Sequence, residues 1–149
     1  MTVTFCGHSH LYGEYETVKE RCFAVVRKLI EAGADTFLIG NYGNFDTIAA
    51  AVCLELKKDY PNIQVCLVLP YYVPNLDEYQ RQRIEKFDSV ITPNLGNTPH
   101  RLRIIKVNQW MVSESDTVIG YVRASYGGAI KTLNFAKKKR KKIISLGEP

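Results

Sequence analysis

Residues 63–69, IQVCLVL, lie between Pro61 and Pro70 and carry a single polar side chain, Gln64. A run this short and this apolar is the mark of a strand buried on both faces. Such strands belong to parallel sheets with helices on each side. The rest of the chain meets that demand. Apolar segments at residues 3–6, 36–39, 89–92, 117–122 and 142–146 alternate with helical spacing at 15–32, 44–59, 75–87, 100–114 and 128–139. In the first helix Val18, Cys22, Val25, Val26, Leu29 and Ile30 share a face, and Gly33 is placed to stop it in a left-handed conformation. Ile48, Val52 and Leu56 recur every fourth residue in the second, which Pro61 ends. Asn75 is the expected cap of the third. The fourth carries Leu102, Ile105, Gln109 and Val112 along one side; the fifth turns Ala129, Leu133 and Ala136 inward. Strict alternation predicts an α/β chain with a doubly wound, mainly parallel sheet, helices on both faces and the first strand central. At 149 residues it suits one domain spanning 1–149.

In such a sheet, ligand loops gather at the carboxyl ends of the strands, where strand order reverses. Three glycine-bearing turns lie there. Gly7 follows the first strand, Gly40-Asn41-Tyr42-Gly43 the second, and a turn ending in Gly127-Gly128 the fifth. The last two each open a helix, and free N–H groups at a helix start favour an anion. Asp46, in the first turn of the second helix, repels phosphate and is assigned to sugar or base. The start of the fifth helix has no carboxylate. Lys131 and Thr132 stand in its first turn, with Arg123 and Ser125 just upstream, so phosphate is expected there. The plain alternatives are favourable dipole placement for Asp46, close packing for the glycines and solvated loop positions for Arg123 and Ser125. Trp110, the sole tryptophan, suits base stacking or a core or interface role equally. Neither the full G-x-G-x-x-G fingerprint nor a P-loop is present.

Other classes of function find less support. The apolar runs are too short to span a bilayer, so no membrane partner is expected. The first residues do not read as a secretory signal. The four cysteines form no C-x-x-C pair and read as reduced thiols, which points to a cytoplasmic location. Cys6, His8 and His10 alternate at spacing two, but Gly7 and Ser9 favour a turn and no supporting carboxylate is evident. No metal or cofactor is therefore assigned. The net charge of +5 rests on residues 137–142, KKKRKK, from Lys137 to Lys142; without them acidic residues slightly outnumber basic ones. That run reads first as the solvated end of a helix, with nucleic acid as the minority partner. A homo-oligomer is compatible with the fold, with Tyr71, Tyr72 and Trp110 as interface residues.

Five segments in order carry a resemblance. They are a first strand ending in Gly-His, G-N-Y-G-x-F-D-x-x-A-A, N-Q-W-M, S-D-T-V-I-G-Y-V, and Y-G-G-A-x-K-T ahead of a lysine-rich helix and I-I-S-L. Together they resemble the SLOG superfamily, in particular its small single-domain bacterial members. The superfamily includes LOG-type phosphoribohydrolases and the DNA-processing proteins of competence. The resemblance implies a Rossmann-like fold and a nucleotide or nucleotide-derived ligand (ADP-ribose, NAD or nucleoside phosphate) held between the second and fifth joints, in a sensor role. It implies contacts from Gly7, Gly40, Gly43, Asp46, Gly127 and Gly128. Together with the residues read above, the expected ligand-binding set is Gly7, His8, Gly40, Asn41, Gly43, Asp46, Arg123, Ser125, Gly127, Gly128, Lys131 and Thr132. LOG-type enzymes resemble P-G-G-x-G-T-x-x-E at the fifth joint. Here Tyr126 replaces the proline and Asn134 stands near the glutamate. Asparagine cannot act as a general acid or base near neutral pH. An N-glycosidic hydrolase, with Glu14, Glu16, Asp46 and Glu114 as acids, is thus the second reading, and single-stranded DNA binding the third.

Overall fold

A computed structural model describes residues 1–8, 11 and 13–147. Six strands form one all-parallel sheet: β1 (Thr2–Gly7), β2 (Thr36–Ile39), β3 (Gln64–Val68), β4 (Ser89–Ile91), β5 (Thr117–Tyr121) and β6 (Lys142–Ser145). The spatial order is β4-β3-β2-β1-β5-β6. The chain walks outward from β1 to β4, then returns to pair β5 with the free side of β1. Order therefore reverses at β1. The fold is the expected Rossmann-like α/β sheet.

Side-chain alternation assigns the two faces. Val3, Phe5, Phe37, Ile39, Val65, Leu67 and Ile119 pack into one core with α1 (Tyr15–Glu31) and α2 (Asn44–Lys57). Phe87 and Ile84 bring α3 (Glu78–Glu85) to that face. On the other face Leu38, Cys66 and Val68 meet Val107 and Met111 of α4 (Arg103–Ser113). Cys6 and Val118 there meet Ala136 of α5 (Gly128–Lys138). Period-two alternation on a doubly covered sheet thus divides one apolar run such as β3 between two cores. All four cysteines are free and buried within these cores.

Local chemistry sets the helix ends. Gly33, at φ 108°, follows the last turn of α1. Its N–H bonds Ile30 O at 3.0 Å and that of Ala34 bonds Leu29 O at 2.8 Å, a complete Schellman stop. The cap of α3 corrects the sequence reading. Asp77, not Asn75, caps it, accepting from Gln80 N while the Gln80 side chain accepts from Asp77 N. The reciprocal pair satisfies two donors where Asn75 would satisfy one. The fourth helix is also corrected. A 3-10 turn, His100–Leu102, precedes it, and its buried face is Val107, Met111 and Val112. Trp110 is half-buried against the core of that face.

Candidate functional site

The reversal at β1 puts the three glycine turns side by side, because β2, β1 and β5 are neighbours in the sheet. The two helix-opening glycines share one backbone conformation. Gly43, the N-cap of α2, has φ 104° and ψ 178°; Gly127, the N-cap of α5, has φ 97° and ψ −176°. That corner of φ/ψ space is closed to side chains, so each joint requires glycine. Neither cap receives a side-chain hydrogen bond. We expect Gly127→Ala and Gly43→Ala each to lose about 1–3 kcal/mol of stability, measured by urea unfolding.

A cavity of about 300 Å³ opens at this edge. Gly7, His8, Asp46, Gly127, Gly128 and Thr132 line it, so half of the sequence-derived set converges on one space. Asn108 and Ile104 of α4, Tyr42, Tyr126 and the end of β1 complete the wall. The remaining six stand elsewhere, Gly43 at the N-cap of α2 outside the lining. Gly40 is buried beneath Asp46, where an added Cβ would come 3.0 Å from Asp46 Oδ2 and 3.4 Å from Met111 Cε. Asn41 lines a neighbouring cavity. Arg123 forms an ion pair with Glu14. Ser125 and Lys131 are exposed outside the lining. Asn108 escaped the sequence reading, although its spacing of four from Ile104 on α4 was a usable sign that both share a face.

Gly7 has a packing role. A Cβ there would lie 2.7 Å from Phe45 Cβ and closer still to its Cγ and Cδ2. Phe45, 1% exposed, sits in an aromatic floor, stacked on Tyr121 at 6.2 Å and edge-on to Phe5 at 6.3 Å. His8 ties the first joint to the fifth. Its Nε2 accepts the N–H of Arg123 at 2.7 Å and that of Ala124 at 3.3 Å. Its carbonyl accepts the N–H of Phe45 in α2 at 3.4 Å. Glu14 accepts hydrogen bonds from Tyr121 and Arg123, which anchors the same loop from α1's side.

The electrostatics of the two helix starts differ. At α2, the Asp46 carboxylate accepts Tyr42 N–H at 2.8 Å. Burial pushes its pKa up to about 6, against smaller lowering effects from that bond and from the Arg83 charge. At α5 the first turn holds no acidic residue. An added Cβ at Gly128 would meet nothing within 4 Å, so its bare backbone faces open cavity. An anion is therefore favoured at α5 and opposed at α2. Cys6 also lines the cavity, but burial, and secondarily the Asp46 charge, raise its thiol to about 12. It donates to Ala129 O at 3.1 Å and stays a protonated, unreactive thiol. Of the Cys6, His8, His10 triad weighed for a metal, His10 lies outside the described residues. Among the described residues no three acidic, cysteine or histidine side chains gather around a common point. Among the described residues no helix is long and apolar enough to cross a membrane. The run 137–142 starts in the last turn of α5 and ends at Lys142, the first residue of β6, outside the lining of the cavity at the start of α5.

A family model described as the YspA SLOG family matches residues 8–144. A UPF0398 protein of Halalkalibacterium halodurans is 25% identical over 142 residues, covering 89% of this chain and 74% of the relative. DNA processing protein A from Helicobacter pylori, which binds single-stranded DNA, matches in structure with a TM-score of 0.69 and 17% identity, over 100% of this chain and 66% of its own. Its Streptococcus pneumoniae counterpart has a TM-score of 0.71 and 15% identity, over 97% of this chain and 49% of its own. At these identities the structural likeness establishes the fold alone. The chain thus spans about two thirds of one of these DNA processing proteins and about half of the other.

Proposed function

The chain belongs to the YspA SLOG family, and from that premise we propose that it binds a nucleotide or nucleotide-derived ligand in the cavity at the carboxyl edge of its sheet. The phosphate end lies at Gly127, Gly128 and Ala129, and the sugar turns toward Asp46 and Asn108. Gly7, His8 and Thr132 complete the site, within a single domain. The observation that carries this reading is Gly128. Its missing side chain answers no packing demand, since a Cβ there would meet only open space. What it preserves is access to the amides at the start of α5, whose first turn, unlike that of α2, holds no carboxylate.

Gly128→Ala separates the two explanations of that glycine. Within a helix the substitution is expected to stabilise by about 0.4–1 kcal/mol. Calorimetric titration with AMP, ADP-ribose and NAD is expected to show binding of at least one to the native protein. In Gly128→Ala the affinity is expected to fall about tenfold or more, since a methyl group occupies the phosphate's approach. Folded protein that binds none of the panel contradicts the proposal, as does unchanged affinity in the variant.

A second reading is N-glycosidic hydrolysis, favoured by one observation: Asp46 lines the cavity with its pKa raised to about 6. A carboxylic acid so placed can protonate a departing base as the C–N bond breaks. Water then adds to the anomeric carbon and returns a proton to the carboxylate. Glu14 is engaged by Tyr121 and Arg123, and Glu16 and Glu114 lie outside the lining, which leaves Asp46 as the acid. Release of free base from nucleoside monophosphates, lost in Asp46→Asn, is the expected sign of this activity.

A further inference from the structure

Beside the first cavity, between α3 and the turns that follow β2 and β3, lies a second of about 140 Å³. Its wall carries one charge. Arg83 lines it from α3, and among the described residues no aspartate or glutamate does. Arg83 is half-buried, and among the described residues its side chain has neither an ion pair nor a hydrogen bond. Its neighbours differ. Arg103, likewise half-buried, donates to Pro70 O at 2.9 Å, and Arg81 to Leu76 O at 3.4 Å. A partly covered guanidinium with its N–H donors open is suited to an oxyanion, which it grips with two parallel bonds.

Further donors share that wall. Gln80 turns its Oε1 to the Asp77 N–H in the α3 cap, which leaves its NH2 to donate elsewhere. Partial burial, and then the neighbouring Tyr71 hydroxyl, push the Tyr42 phenol up to about 12, so it stays an O–H donor. In such a hydroxyl pair one donates to the other and the second keeps a proton for a guest. Tyr42 lines both cavities, and its N–H bonds the Asp46 carboxylate at 2.8 Å. The second cavity therefore begins one residue from the position given to the sugar. Its volume is under half of the roughly 300 Å³ at which whole-ligand pockets begin, so it suits one substituent.

We infer that the second cavity is a second anion subsite: it takes a phosphate carried on the ribose ring of the ligand, at the 2′ or 3′ oxygen, on Arg83 with Gln80 and the Tyr42–Tyr71 hydroxyls. This rests on the nucleotide reading above, whose 5′-phosphate stays at the start of α5. A phosphate monoester offers three oxygens to donors on two separate elements, where a carboxylate offers two.

The test titrates the intact chain with AMP, adenosine 2′,5′-bisphosphate and adenosine 3′,5′-bisphosphate. At least one bisphosphate is expected to bind about tenfold or more tighter than AMP. Arg83→Gln is expected to abolish that gain and to leave AMP binding unchanged. In the native chain the Arg83 Nε–H signal is expected to shift with the tighter bisphosphate and to stay in place with AMP, a readout that needs no variant. Bisphosphates that bind no tighter than AMP overturn the subsite while the nucleotide reading stands. A gain that Arg83→Gln retains in full, or an Arg83 signal that the bisphosphate leaves unmoved, puts the extra phosphate elsewhere and also overturns it. No binding by any of the three overturns the nucleotide reading, and the subsite with it.

Discussion

Gly7→Ala is expected to cost about 3 kcal/mol of unfolding free energy, a large effect for one methyl group. The added carbon would sit 2.7 Å from Phe45 Cβ and nearer still to the ring, well inside contact distance. Gly7 ends the central strand, so β1 has little freedom to retreat, and Phe45 is buried against Phe5 and Tyr121. Phe45→Ala alone empties that space and is expected to cost about 3–5 kcal/mol. The double variant distinguishes overpacking from any other role of the glycine. In the Phe45→Ala background the second substitution is expected to be nearly free, leaving a coupling of about 2–3 kcal/mol in the cycle. Strict additivity, measured by urea unfolding of the four proteins, would show that Gly7 does not act through Phe45.

Asp46→Asn is expected to stabilise the protein at alkaline pH and to leave it unchanged in acid. The folded chain holds this carboxyl protonated up to about pH 6, against an ordinary value of 3.8. Between those two values the folded state keeps a proton that the unfolded state releases. Wild-type stability therefore falls as pH rises through the window, and the full cost of ionising a buried carboxyl remains above it. A window about two pH units wide corresponds to roughly 3 kcal/mol, so a gain of about 2 kcal/mol for the asparagine variant at pH 8 is expected. At about pH 4, near the lower edge of that window, the two proteins should have nearly equal stability. The asparagine side chain keeps an oxygen that can accept the Tyr42 N–H, which isolates the charge as the variable. Parallel stability curves across the window would mean that Asp46 is adequately solvated.

Much of this architecture was legible because its causes are local. The bounds of β2 follow from Thr36 to Ile39 alone, with Gly33 and Gly40 on either side. The different electrostatics of the two helix starts follow from one carboxylate, Asp46, present in one first turn and absent from the other. The start of α3 was misread because Asn75 and Asp77 are both good caps, and only Gln80 three residues on decides between them. Other features depend on contacts that no window of sequence contains. Arg123 is held by Glu14, 109 positions away in the chain. Asn108 reaches the cavity because α4 returns the chain to β5 beside β1. The steric reason for Gly7 likewise needs Phe45 brought over from α2. The face of α4 was misjudged because this helix meets sheet, α5 and cavity at once, so its polar residues do not mark the solvent side.

The central claim, that the open amides at the start of α5 receive the phosphate of a nucleotide, is most directly tested by amide NMR. The backbone spectrum of the native chain is recorded with AMP and then with adenosine at the same concentration. The account predicts that AMP shifts the amide signals of Gly128, Ala129 and Ile130 most strongly, and that adenosine leaves these three unmoved. AMP shifts concentrated at residues 137–142, with Gly128 and Ala129 unaffected, would place the anion on the basic run and contradict the account.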